Sequence, residues 1–337
     1  MINLFNRPLP QRLPWLDARE SAEVLLKDAL ARADPSVADI TAHLSAAAGK
    51  GIRSRLLLIC AADDELFVPD NAVYSAVAVE LFHLATLVHD DVIDDAPTRR
   101  GRESVQSRYG KKSAVIIGDY LLCLAAAAAA HVLNSNAEGQ ARQAERLLSL
   151  TREYLPAVAN ICLGEFRQLR ESANLDLSPR LYLKIIAGKT AELFRLSAII
   201  GAEAGGAGED AVKRAGKFGL YLGMVFQIID DCKDYLSSEV SVQKPVRHDL
   251  AQGVVTLPLI LALINAPELR GTAQAALFRG EAGAALAGLV ARAGGVERAR
   301  GIAQRYAQKG EKLAAELYTG PKREKLLDLL QNALKGS

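Results

Sequence analysis

The sequence predicts an all-α protein, a bundle of close-packed helices, on three observations. Apolar residues recur at helical spacing through nearly every segment, and no stretch sustains strand-like alternation joined by hairpin turns. Composition agrees: 50% of the 337 residues are hydrophobic but only 5% aromatic, with alanine, leucine and glycine abundant, which suits closely approaching helices. The third observation is chemical. Two apolar helical runs, far apart in the chain, each end in three aspartates spaced D-D-x-x-D. Runs that apolar belong inside, so their carboxylates should point inward from two opposed helices, the way helical bundles build metal sites.

Charge and cysteine content narrow the class. A net charge of +2 with no basic tract gives no reason to expect a nucleic-acid partner. Cys60, Cys123, Cys162 and Cys232 lack C-x-x-C spacing and read as buried free thiols in a reducing cytosol. The first residues, M-I-N-L-F-N-R-P, show no long apolar run, so no signal peptide is expected and the location is read as cytoplasmic. The longest apolar stretch, 114–133, is interrupted by Asp119 and His131, and reads as a buried helix with no transmembrane segment. Length does not choose between one domain and two, but no convincing linker appears. A single domain over 1–337 is the expectation.

In chain order, Asp17 with Glu20 resembles a capping box opening a first helix, and Asp34-Pro35 an N-cap followed by proline opening a second. The loop A-A-G-K-G-I-R-S-R follows; its glycines allow close backbone approach to a ligand, and Lys50 and Arg53 add charge. Asp70 to Asp94 reads as one long helix after Pro69. It carries Glu80-x-x-His83, half of a di-iron signature, but no second E-x-x-H exists, which excludes a ferritin-like centre. On physics alone His83 is as well explained as a buried, satisfied histidine.

Asp90 and Asp94 lie four apart, so on a helix they stack on one face and repel. A cation must neutralise them together with Asp91, and hard carboxylate oxygens suit Mg²⁺, which completes its octahedron with water and substrate phosphates. Asp230, Asp231 and Asp234 repeat the pattern. A diphosphate held through Mg²⁺ between the two motifs explains both, and explains the Arg99–Arg100 pair after the first, since guanidinium forks match phosphate oxygens.

Ser113 is read as capping the next helix, whose six alanines from Ala125 to Ala130 mean tight packing or a thin tunnel wall. Ser178-Pro179 opens a helix ending in G-K-T-A-E-L-F. Gly205-Gly206-Ala207-Gly208 is a break, not a phosphate loop, since no strand precedes it. The polar stretch after Asp234 reads as a mobile lid, and the chain beyond Pro267 as packing helices.

The ordered set of motifs from Gly49 to Pro258 resembles the all-trans polyprenyl diphosphate synthases, which join isopentenyl diphosphate head-to-tail onto an allylic diphosphate. It comprises G-K-x-x-R, D-D-x-x-D with R-R-G, G-D-Y-L-L, G-E-x-x-Q, G-K-T-A-x-L-F, F-Q-x-x-D-D-x-x-D and D-L-x-x-G-x-x-T-L-P. The resemblance implies a single-domain helical bundle of the isoprenoid synthase type around a central cavity, with core motifs in 49–258 and packing helices after about 259. It implies Mg²⁺, three ions with substrate bound, on the six aspartates. Lys50, Arg53, His83 and Arg100 are implied to face isopentenyl diphosphate, and Arg99 and Lys244 the allylic diphosphate. Lys189, Thr190 and Gln227 are implied near that diphosphate and the developing cation. A homodimer is expected, with an unlike subunit possible in long-chain members.

Two departures stand out. Gly51 replaces a usual arginine, with Ser54 beside it in place of a proline, and Val254 replaces a usual lysine. A terpene cyclase would carry an Asn/Ser/Glu second metal motif, against Asp230, Asp231 and Asp234. A catalytically dead partner subunit tends to lose aspartates, and here all six are present. For product length, Ala85 stands five before Asp90, where short-chain members usually place an aromatic ring. Thr86 is also small and Phe82 is the first bulky candidate, so an open first floor favours a long product of about six to ten units at roughly one unit per turn. That suits a quinone side chain; a farnesyl- or geranylgeranyl-sized product is the alternative.

Overall fold

A computed structural model describes residues 8–46, 49–134, 150–236, 252–279 and 283–336. Helices dominate them, as the periodicity predicts, and the strands among them form two short antiparallel ribbons. The chain groups into two compact units interleaved in sequence. The first comprises Met1–Leu150, Ser197–Lys213 and Thr319–Lys322; the second comprises Thr151–Leu196, Arg214–Tyr318 and Arg323–Ser337. Three of the changeovers, at 196/197, 213/214 and 322/323, fall inside continuous α-helices, where no linker composition could mark them.

In the first unit, β1 (Arg12–Pro14) pairs with β2 (Phe67–Pro69) and runs directly into α1 (Trp15–Ala31). The capping box expected of Asp17 and Glu20 does not form. The helix starts straight after Pro14 without a side-chain cap, and Asp17 lies in its first turn, complementing the helix dipole. Asp34 does cap, accepting from Ser36 N at 2.9 Å, but Pro35 opens a 3₁₀ turn that leads into α2 (Ala38–Ser45). The helix α3 (Ile52–Ala61) ends on a buried lysine: Lys322 Nζ donates to Cys60 O at 3.0 Å and Ala62 O at 2.6 Å, closing carbonyls the helix leaves open.

The long helix after Pro69 is α4 (Asp70–Ile93), with Asp94 as its C-cap; residues 71–77 are all buried. After it come the ribbon β3 (Thr98–Arg99)–β4 (Arg102–Glu103) and α5 (Val105–Tyr109). Only Gly110 separates α5 from α6 (Lys111–Asn134), so Ser113 falls inside α6 and does not cap it. The main packing of this unit is α4 along α6, with α1 and α3 also against α4. In the alanine run, Ala125 and Ala128 are buried. By length and composition alone, α4 and most of α6 are apolar enough to cross a membrane.

In the second unit, α7 (Leu155–Arg170) precedes α8 (Pro179–Ile186), which opens as predicted with Ser178 Oγ accepting from Leu181 N at 3.2 Å. The helix does not end at G-K-T-A-E-L-F. Ala187–Ala191 form a π-turn that continues into α9 (Glu192–Ala204), which stops at the glycine break. The following helix, α10 (Glu209–Leu236), buries Phe218, Leu222, Val225, Ile228 and Ile229, and its Phe226 ring lies 5.5 Å from Phe194. Then come α11 (Leu257–Asn265), α12 (Arg270–Arg279), α13 (Gly283–Arg292), α14 (Gly295–Leu317) and α15 (Gly320–Lys335); α11 packs against α13 and α14. The expectation of buried thiols is met for Cys60 and Cys232 but not for Cys123 and Cys162, which are exposed.

Candidate active site

At the end of α4 the three aspartates take different surroundings. Asp90 and Asp94 are half-buried, four apart, with Asp94 N donating to Asp90 O at 2.8 Å. Asp91 is buried, and Arg99 Nε donates to its Oδ1 at 2.7 Å. The R-R-G motif explains how Arg99 gets there. Arg100 and Gly101 are the two-residue loop of the β3–β4 hairpin and both have positive φ, +52° and +76°, as a type I′ turn requires. The turn sends the two arginines different ways. Arg99 reaches Asp91, while the Arg100 guanidinium lies against Gly49, so close that a Cβ there would meet it at 2.5 Å.

Arg53 Nη1 donates to His83 Nε2 at 3.0 Å, so the imidazole is neutral and carries its proton on Nδ1. Burial, then the charges of Arg53, Arg100 and Arg99, hold His83 well below the usual 6.5. Burial pushes Arg53 down to about 10 against the pull of Glu80, and it stays charged at neutral pH. The structure thus brings Arg53, His83 and Arg100 into one cationic cluster, with Lys50 exposed beside the start of α3. Gly51 caps α3 in the left-handed region at φ +58°, where a side chain is strained. Ser54 ties to it, donating Oγ to Gly51 O at 2.9 Å, and its N–H donates to Glu80 Oε1 at 3.0 Å. A proline at 54 could not make that second bond, so the two departures are one local rearrangement.

In the second unit the middle aspartate is again the buried one. Asp231 accepts from the Tyr182 hydroxyl and, at 2.6 Å, from Gln227 Nε2. Gln227 Oε1 in turn accepts from Thr190 Oγ1 at 2.7 Å. Burial pushes the Asp231 carboxyl up to about 7, against these hydrogen bonds. Asp230 is exposed, 3.2 Å from Lys233, and Asp234 half-buried. Lys189 and Thr190 sit in the π-turn, the kind of one-residue insertion that re-aims side chains. Lys189 Nζ lies 2.6 Å from Glu165 Oε2 on α7, and Thr190 faces Gln227 on α10.

The metal expectation is therefore narrowed. In both motifs the middle aspartate is occupied by a protein donor, while the outer pair stays on one helix face. Among the described residues no three carboxylate, histidine or cysteine side chains converge as a closed metal cage. Mg²⁺ needs none, since it takes one or two carboxylates and fills its remaining positions with water and phosphate. The donor set fits. Lys244 and the expected lid lie outside the described residues, and Val254 is half-buried before α11.

The chain-length positions separate. Five residues is about 140° around a helix, and Ala85 has 0% exposure, in a buried stripe with Leu81 and Val88. Thr86, half-buried and four before Asp90, lies about 40° from it around the helix, and Phe82, also half-buried and eight before, about 80°. The expectation of Ala85 as an open first floor is not met.

The polyprenyl synthetase family model matches residues 34–285. The chain belongs to that family. It is 37% identical over 291 residues to heptaprenyl diphosphate synthase component 2 of Geobacillus stearothermophilus, covering 85% of this chain and 86% of that protein. The protein of the same name in Bacillus subtilis is 38% identical over 231 residues, 68% of this chain and 62% of that one. Among solved structures, polyprenyl synthase from Caulobacter crescentus, complexed with calcium and isoprenyl diphosphate, superposes with a TM-score of 0.82 at 30% identity, over 95% and 94% of the two chains. The all-α isoprenoid synthase fold and a transferase of prenyl groups follow from family membership.

For a polyprenyl synthetase family chain, the sequence reading missed Tyr182 and Glu165. Tyr182 stands seven before Lys189, two helical turns away on one face, and that spacing was the available signal. Glu165 gave none beyond its place in G-E-x-x-Q, because the π-turn sets which way Lys189 faces.

Proposed function

We propose that this chain condenses isopentenyl diphosphate with an allylic diphosphate, building a long all-trans polyprenyl diphosphate and releasing diphosphate. The observation that carries the reading is the repeated arrangement of Asp90/Asp94 and Asp230/Asp234, each an outer carboxylate pair beside a buried, protein-bonded middle aspartate. Mg²⁺ on these outer pairs would neutralise charge on the departing diphosphate. Calcium in the Caulobacter relative supports a divalent cation.

The chain's own groups do the rest. Arg53 and Arg100, with Lys50, anchor isopentenyl diphosphate, and neutral His83 donates from Nδ1 without adding a charge. Lys189 supplies positive charge to the leaving diphosphate, while the Thr190 and Gln227 dipoles lie ready for the allylic cation. The double bond attacks that cation, and the released diphosphate takes the proton, since no side chain of these motifs stands out as a base. Asp91 and Asp231 act as positioning residues, on Arg99 and on the Tyr182–Gln227 network.

Long-chain relatives and a small Thr86 favour six to ten isoprene units and a role in quinone side chains. A cytoplasmic homodimer completes the reading; exposed Leu155, Leu163, Phe166 and Leu169 on α7 suit a covered face. The second reading is a synthase needing an unlike subunit, favoured by the word component in both heptaprenyl relatives. The purified chain is incubated with Mg²⁺, farnesyl diphosphate and isopentenyl diphosphate, and products are separated by reversed-phase chromatography. Products of six or more units from the chain alone support the first reading; no product selects the second.

A further inference from the structure

Glu165 is the carboxylate that no part of the reaction uses. It sits on α7 with both oxygens buried, and apart from the ammonium of Lys189 at 2.6 Å no donor among the described residues completes either of them. The two side chains are 13% and 23% exposed, so the pair is largely out of water. Their elements pack backbone to backbone. The Gly164 backbone lies so close to the π-turn that a Cβ would stand 2.2 Å from Lys189 N, and Gly188 meets Gly164 from the other side.

A buried carboxylate balanced by one ammonium has a definite consequence. An anion that draws Lys189 away leaves Glu165 charged, buried and without a donor, which is costly. An anion that does not draw it away meets a neutral pair instead of a cation. Either way the carboxylate opposes anion binding at Lys189.

We propose that Glu165 is a positioning residue that parks Lys189 and keeps the affinity of this site for diphosphate low, so that released diphosphate leaves. The proposal rests on the reading of Lys189 as a diphosphate ligand. Neither group needs to change protonation for it to hold, and no bond is made or broken. The carboxylate acts by competing for the ammonium.

The test is calorimetric titration of inorganic diphosphate with Mg²⁺ into the full chain, for wild type, Glu165→Gln, Lys189→Ala and the double variant. Glu165→Gln should tighten binding about tenfold and lower kcat together with KM, as slow product release requires. In the Lys189→Ala background the same change should alter binding less than about twofold, since the competed group is gone. Glu165→Met, apolar and similar in volume, replaces Gln if the buried amide prevents folding. Unchanged or weaker binding in Glu165→Gln, with Lys189→Ala weakened, overturns the parking role and leaves Lys189 as a ligand. Unchanged binding in Lys189→Ala overturns the ligand reading and the proposal with it.

Discussion

Replacing Gly164 by alanine puts a methyl group where α7 touches the π-turn backbone. That Cβ would lie 2.2 Å from Lys189 N and 2.7 Å from the Gly188 carbonyl carbon, both main-chain atoms. Ordinary contact begins at about 3.4 Å, so the turn must withdraw by roughly 1 Å in an interior with little slack. Two terms oppose each other. Alanine improves a helix interior by about 1 kcal/mol over glycine, while overpacking costs about 1–3 kcal/mol. The second wins because the obstacle is backbone and cannot rotate aside. Net destabilisation of up to about 2 kcal/mol is expected by denaturant unfolding. A misplacement of about 1 Å at Lys189 should lower kcat on the order of a hundredfold, measured by incorporation of labelled isopentenyl diphosphate. Gly301→Ala in α14 is the matched control. No atom lies within 4 Å of its added Cβ, so it should gain up to about 1 kcal/mol and keep the wild-type rate. If Gly164→Ala behaves like Gly301→Ala, the close approach does not constrain Lys189 and the reasoning fails.

Three further outcomes are expected. His83 is neutral when folded and takes a proton near pH 6.5 when unfolded, so its contribution to stability is full above about 6.5 and shrinks as pH falls toward the depressed folded value. Denaturation midpoints measured on the acid side should decline less steeply in His83→Gln; equal slopes would dismiss the linkage. Thr86→Phe should shorten the product by one or more isoprene units on chromatography, whereas Ala85→Phe should mainly destabilise, by about 1–3 kcal/mol, because Ala85 is in a packed stripe. Shortening by Ala85→Phe in a fully stable protein, with none by Thr86→Phe, would reverse that assignment. Val254→Lys should lower KM for at least one diphosphate substrate by restoring a cation, and an unchanged or higher KM for both would show that the charge is supplied from elsewhere.

The sequence by itself determined what depends on local spacing. Helical periodicity set the fold class, Ser178 and Asp34 announced their caps, and D-D-x-x-D placed carboxylates four apart on one face before any coordinate was known. The expected caps at Asp17 and Ser113 failed because cap geometry depends on how the chain enters a helix, and Pro14 and Gly110 decide that. Only the tertiary structure divided labour within each motif, since burial and a partner from elsewhere in the unit distinguish Asp91 from Asp90 and Asp231 from Asp230. It also turned Arg99 and Arg100 apart at one positive-φ turn, and packed Ala85 into a buried stripe while leaving Thr86 half-buried. Above all it inserted the π-turn that aims Lys189 at Glu165 and Thr190 at Gln227. Periodicity counts residues along a regular helix, so one extra residue per turn leaves no trace in it; the backbone contact at Gly164 and Gly188, made across elements, is what holds that turn.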